Sequence, residues 1–294
     1  MKKFLLGSMM AMLVAASIGC SSEEQASSEA AEESGNENGE TITFGVTPWT
    51  STVPPTQIVS LILQDMGYEV QETNADVGSV FMGLSRGDLD VFMDAWFPMH
   101  HVHMERYGDT LVDTAVSYPE AETGWVVPNY MEDINTVEDI IGNEHLFNNE
   151  MFGIEEGTSA QGEINEMIEE LGLDITQINS SEGGMLAQAQ RLMQQEEPVI
   201  FFGWRPHTMF NKFDIKVLSN DAGFFETSSV HVITNHELQD RAPDAFEFLS
   251  NWNISIDDVE ELIVKIEEEG QDPEEVAREW IDNNQDKVNE MIGN

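Results

Sequence analysis

Cysteine is almost absent from this 294-residue chain: Cys20 is the only one, so no disulfide forms within the chain and no Cys-rich zinc site is available. Basic residues are scarce as well. Twelve Lys and Arg stand against 56 Asp and Glu, a formal net charge of −44, which excludes nucleic acid as a partner. The acids are spread over amphipathic stretches, as in Glu166, Glu169 and Glu170 or Asp257, Asp258, Glu260 and Glu261. That spacing is the pattern of a solvated surface. Phosphate-binding P-loops, G-x-G-x-x-G and H-E-x-x-H are missing, so no catalytic residue and no cofactor are assigned. With so many carboxylates an acid pair arises by chance, and a pair alone gives no support to glycosidase chemistry.

Long hydrophobic runs are also lacking, apart from the first 19 residues. MKKFLLGSMMAMLVAASIG carries two lysines, an apolar run too short for a comfortable membrane span, and small residues just before Cys20. It reads as an export signal covering residues 1–19. Ser17-Ile18-Gly19-Cys20 resembles a bacterial lipobox, with Ser17 where leucine is usual, and makes Cys20 the expected site of lipidation. Residues 21 to 40 contain seven Glu and neither a basic nor a large apolar residue, so residues 20–40 read as the lipidated Cys and a disordered acidic tether. Loss of Lys2 and Lys3 with the signal would take the charge from −44 to −46.

From residue 41 onward short apolar runs alternate with amphipathic stretches, the signature of a parallel sheet covered by helices. ITFGV (42 to 46), DVFMDAW (90 to 96), MFGIE (151 to 155) and PVIFFGW (198 to 204) read as strands. Helices are expected after Pro55, around Ile164 to Leu171, and over 237 to 251, 255 to 270 and 272 to 293. The chain also repeats itself. Gly45 precedes Trp96-Phe97-Pro98 and Gly153 precedes Trp204-Arg205-Pro206, and both Gly to Trp intervals are 51 residues (96 − 45 and 204 − 153). Each half therefore reads as an α/β lobe with these landmarks at strand carboxyl ends, where open parallel sheets bind ligands. TGWVVPNY (123 to 130) and SVHVITN (229 to 235) are the candidate crossing strands.

The cluster His100, His101 and His103 invites a metal reading, but only His100 and His103 share a helix face and no carboxylate motif accompanies them. The tryptophans are more informative. Trp49, Trp96 and Trp204 each stand at or just past a strand end beside Pro48, Pro98 or Pro206. A single Trp ordinarily packs in a core; three at corresponding strand ends point to an aromatic cage. A quaternary ammonium has no N–H to donate, and electron-rich indole faces suit its diffuse charge. Gly153 and Ile154, entering EEGTSAQGEINEM, read as a strand leading into a helix, where free backbone N–H groups favour an anion. His101 offers one further charge-assisted bond.

DAWFPMHH, FFGWRPHTMF, FGIEEGT, GVTPWT and GWVVPNYMEDINTVEDI resemble the matching segments of glycine betaine binding proteins of osmoprotectant ABC importers, over about residues 41 to 290. The resemblance implies a type II-like two-lobed periplasmic-binding-protein fold of α/β class, its ligand cleft lying between lobes joined by two crossing strands. The expected lobes are 41–126 plus 234–294, and 127–233. It implies that Trp49, Trp96 and Trp204 box a trimethylammonium group and that Gly153, Ile154 and His101 hold a carboxylate. Arg205 and Thr208 depart from the family pattern, and Arg205 is expected to face solvent or an acid. The function implied is that of a non-enzymatic, monomeric extracellular lipoprotein, held at the cell membrane by its lipid alone, that delivers glycine betaine or a related osmolyte to an ABC permease. A choline- or carnitine-specific binder of the same fold and a zinc-binding lipoprotein are the alternatives.

Overall fold

The computed structural model describes residues 39–293. The export signal, Cys20 and the tether up to residue 38 lie outside the described residues.

The first half begins with β1 (Thr41–Val46), α1 (Val53–Asp65), β2 (Glu69–Asn74), α2 (Val77–Arg86), β3 (Val91–Phe97) and α3 (His101–Tyr107). Local chemistry sets these bounds. Pro54 and Pro55 open α1, where the missing N–H groups cost nothing. Asp76 caps α2 by accepting from the Ser79 amide, and Gly87, in the left-handed region at φ 74°, ends it. β4 (Leu111–Pro128) then runs through both halves.

The second half repeats the plan with β5 (Glu150–Gly153), α4 (Ser159–Leu171), β6 (Thr176–Asn179), α5 (Glu182–Met193), β7 (Phe201–Arg205), α6 (Met209–Lys212) and β8 (Ile215–Val217). The side chains of Thr158 and Ser181 cap α4 and α5. β9 (Ser228–Asn235) returns to the first half, followed by α7 (Leu238–Arg241), α8 (Pro243–Asn251), α9 (Ile256–Glu267), α10 (Pro273–Asn283) and α11 (Gln285–Ile292). α9 and α10 pack on α1, through apolar stripes that include Val259, Leu262 and Ile263 on α9 and Val276, Ala277 and Trp280 on α10.

Among the described residues the strand order is β2-β1-β3-β9-β4-β7-β5-β6, with β8 on β4. β1 lies parallel to both β2 and β3, and β5 lies parallel to both β6 and β7. The repeat seen in the sequence is thus a repeated three-strand unit. β3 is buried along its whole length, as a strand covered on both faces should be. β4 pairs with β9 from Leu111 to Ala121 and with β7 from Glu122 to Val126. Over 229 to 235, read from the sequence as a crossing strand, the chain pairs with β3 and the first part of β4. The second passage between the halves runs through residues 218 to 227, which join β8 to β9. The carboxyl ends of β1, β3, β5 and β7 consequently converge.

Candidate functional site

At those ends lies a cavity walled by Trp49, Trp96 and Trp204. Each indole is at least 92% buried. Trp49 follows β1 and leads into a 3-10 turn at Thr50–Thr52; Trp96 and Trp204 are the penultimate residues of β3 and β7. The first half adds Ser51, Met99 and His100. The second adds Ile154, Thr158 and Ala160 around the start of α4, and Phe202 from β7. Thr123 enters from β4, its Oγ1 buried and without a hydrogen-bond partner.

The three tryptophans expected to share a site therefore do share a cavity. Ile154 lines it immediately after β5, while Gly153 is the last residue of that strand, buried where any side chain would overlap the Gln177 amide. The histidine in the wall is His100. Its Nδ1 accepts the Trp96 backbone N–H at 3.0 Å, which places the ring proton on Nε2. Burial, with a smaller contribution from His103, pushes its pKa down to about 3, so the ring is neutral. His101 is the first residue of α3, exposed, with its ring 4.4 Å from that of Phe97. His103 stacks on Phe81 at 4.5 Å. Among the described residues no three His, Cys, Asp or Glu side chains converge to hold a metal.

Behind the wall lies a polar layer. Asp94 is fully buried and accepts from Ser51 Oγ at 2.9 Å, Thr52 Oγ1 at 2.8 Å and Trp96 Nε1 at 2.9 Å. Burial raises its pKa to about 6 despite those three bonds. The halves are also bonded across the cavity. Trp49 Nε1 donates to Glu155 Oε2 at 3.4 Å, and the Thr50 amide donates to Glu182 Oε2 at 3.2 Å. Glu182 Oε1 in turn accepts from His207 Nε2 at 3.0 Å, because His207 Nδ1 is occupied by the Met209 amide. Arg205 does not line the cavity: its guanidinium lies over the Phe210 ring at 4.2 Å, with Nε 3.7 Å from Glu122.

Asp94, His207 and Glu182 escape sequence reasoning, although an acid inside the apolar run DVFMDAW was a visible signal for the first. Gly83-Leu84-Ser85-Arg86-Gly87 matches the hydrolase pattern G-x-S-x-G. It closes α2, however, and Ser85 Oγ donates to the Met82 carbonyl at 2.8 Å like an ordinary helical serine. Nothing in it forms a strained nucleophile turn.

The buried indole faces suit a small ligand with a cationic head. Residues 40–283 match the substrate binding domain of the ABC-type glycine betaine transport system. A 110-residue stretch is 36% identical to the glycine betaine/carnitine transport binding protein GbuC of Listeria monocytogenes, covering 37% of this chain and 36% of that protein. The chain thus matches only about a third of that relative's length. Among solved structures, an ABC-transporter choline binding protein in complex with choline superposes with a TM-score of 0.81 at 25% identity, over 86% of this chain and 91% of the other. Lactococcal OpuAC, closed on glycine betaine, gives 0.79 at 26% identity, over 86% and 99%. From residue 40 to residue 283, this chain belongs to the family of substrate-binding domains of ABC-type glycine betaine transport systems.

Proposed function

We infer that the protein captures glycine betaine, or a closely related quaternary ammonium osmolyte, between its two halves and delivers it to an ABC importer. The observation that carries this reading is the convergence of Trp49, Trp96 and Trp204 on one cavity. In this reading the trimethylammonium group rests against the indole faces, which attract it without any hydrogen bond. The carboxylate lies at the opposite end, toward the Gly153 and Ile154 amides and the start of α4, where helix N–H groups favour an anion. The histidine donor expected at His101 is proposed at His100, whose neutral ring lines the cavity. The halves move as lobes, 41–121 with 228–293 against 122–227, and close on the ligand. Lipidation at Cys20 and the acidic tether would hold the monomeric domain at the outer face of the cell membrane beside its permease.

The test is calorimetric titration with glycine betaine, proline betaine, carnitine, choline and zinc. Glycine betaine is expected to bind, and His100→Ala to weaken it about tenfold, as loss of one charge-assisted bond should. A choline-specific site would leave choline affinity unchanged in that variant. Binding of zinc with no response to any quaternary ammonium would overturn the reading.

A further inference from the structure

The first half contains two buried aspartates on one chain segment, and the fold treats them differently. Asp90, just before β3, is held by Arg241. Asp94, four residues on, has no exposed surface and enters none of the ion pairs found among the described residues. Its three partners are neutral donors: Ser51, Thr52 and the Trp96 indole. An uncompensated buried carboxylate is costly. This one lies one hydrogen bond behind two residues of the cavity wall, Ser51 and Trp96.

We propose that Asp94 is the counter-charge of the aromatic cage, and that the bound quaternary ammonium head is the cation completing this buried pair. The inference rests on the quaternary-ammonium reading above and adds a specificity residue to it. Two physical routes connect the charges. In a low-dielectric interior the carboxylate's field reaches the cage with little screening. The indole N–H, by donating to an anion, also shifts electron density into the Trp96 ring, and a more electron-rich face attracts a cation more strongly. Asp94 acts through Trp96 and is in that sense a positioning residue.

The other titratable groups around it do not supply the missing charge. Glu182 of α5 adds a like charge, Tyr118 of β4 is a phenol kept neutral by burial and by Asp94, and His100 remains uncharged. Because burial lifts Asp94 to about 6, the carboxylate is ionised at neutral pH and gains its proton in mild acid. A neighbouring cation favours the ionised form, so affinity should decline as the pH falls below about 6. Glycine betaine does not titrate there, since its carboxylate sits beside a cationic nitrogen.

Asp94→Asn removes the charge and preserves the bonds. Its Oδ1 still accepts from Trp96, and its amide N–H groups find acceptors in Ser51 Oγ and Thr52 Oγ1, whose own hydrogen can then be donated to Thr47 Oγ1. Glycine betaine affinity is measured by calorimetry for wild type and Asp94→Asn from pH 5 to pH 8, with thermal melting of each unliganded protein. At pH 7.5 Asp94→Asn should bind about tenfold more weakly or worse while melting at a higher temperature, a combination that a merely structural aspartate would not give. Wild-type affinity should fall severalfold between pH 7 and pH 5, and that of the variant should stay flat. Equal affinities at pH 7.5, or parallel pH profiles, overturn the inference while leaving the cage reading intact. Should the variant not fold, a flat wild-type profile is enough to overturn it. A wild-type protein that binds no quaternary ammonium removes the cage reading and this inference together.

Discussion

The ends of β3 and β7 are built alike and charged differently. Each presents a Trp-x-Pro with a cis proline, Phe97-Pro98 in one and Arg205-Pro206 in the other. Each follows it with a buried histidine whose Nδ1 accepts a backbone N–H, His100 from Trp96 and His207 from Met209. Two residues before the tryptophan the likeness ends: β3 has the carboxylate of Asp94, and β7 has Phe202, whose ring lies 5.7 Å from that of Trp204. The Nε2 nitrogens diverge as well, since that of His207 is bonded to Glu182 while His100 lines the cavity. One repeated scaffold thus yields a polar, charge-backed wall and an apolar wall. In the proposed function both walls give an indole to the cation, and only the first has a carboxylate behind its indole.

The most direct way to break that contrast is to change both tryptophans to phenylalanine. Either change keeps an aromatic face, but Trp96→Phe also removes the Nε1–H that Asp94 accepts at 2.9 Å, leaving a buried carboxylate oxygen short of a donor. Trp96→Phe should therefore weaken betaine binding more than Trp204→Phe, because it alone removes the indole N–H that faces Asp94, and it should also destabilise the unliganded protein by about 1 to 3 kcal/mol, the penalty for one unpaired buried group. Equal losses in side-by-side titrations would mean that the two walls act alike.

The second prediction concerns closure. Glu182 accepts from both the Thr50 amide and His207, so Glu182→Ala removes a bond between the halves and leaves two donors behind. Expected is a loss of about 1 to 2 kcal/mol in affinity, expressed as faster dissociation with association nearly unchanged. Stopped-flow tryptophan fluorescence separates the two rates. A slower association instead would place Glu182 in the encounter with the ligand rather than in holding the closed form.

Features that the sequence makes legible are those carried by local signals. The strands β1, β3, β5 and β7 were legible because buried parallel strands are continuous apolar runs. β2 and β6, EVQETN and TQIN, lie at the two sheet edges and are largely exposed or half-buried, so neither alternation nor an apolar run marked them. The convergence of Trp96 and Trp204 was readable from the 51-residue spacing of the repeat, and the place of Trp49 from its position just past β1. The choice between His100 and His101 was not. Adjacent residues at a helix start point about 100° apart, and which one enters the cavity depends on α3 beginning at His101, a boundary that no residue in MHHVHM announces. Glu182 and Thr50 are 132 residues apart, and no local pattern encodes such a pairing.

The smallest effect expected is at Arg205, and it tests whether the second wall is electrically quiet. A guanidinium one residue from a cavity tryptophan would repel a cation if it pointed inward. Here it lies over Phe210 and beside Glu122 with its side chain 42% exposed, where water and salt screen its field. The ion pair is of the exposed kind that contributes little to stability. Arg205→Ala should accordingly change betaine affinity by less than about twofold at physiological ionic strength. A severalfold gain in calorimetry would show that the arginine opposes the ligand, and the second wall would then have to be described as charged, with the opposite sign to the first.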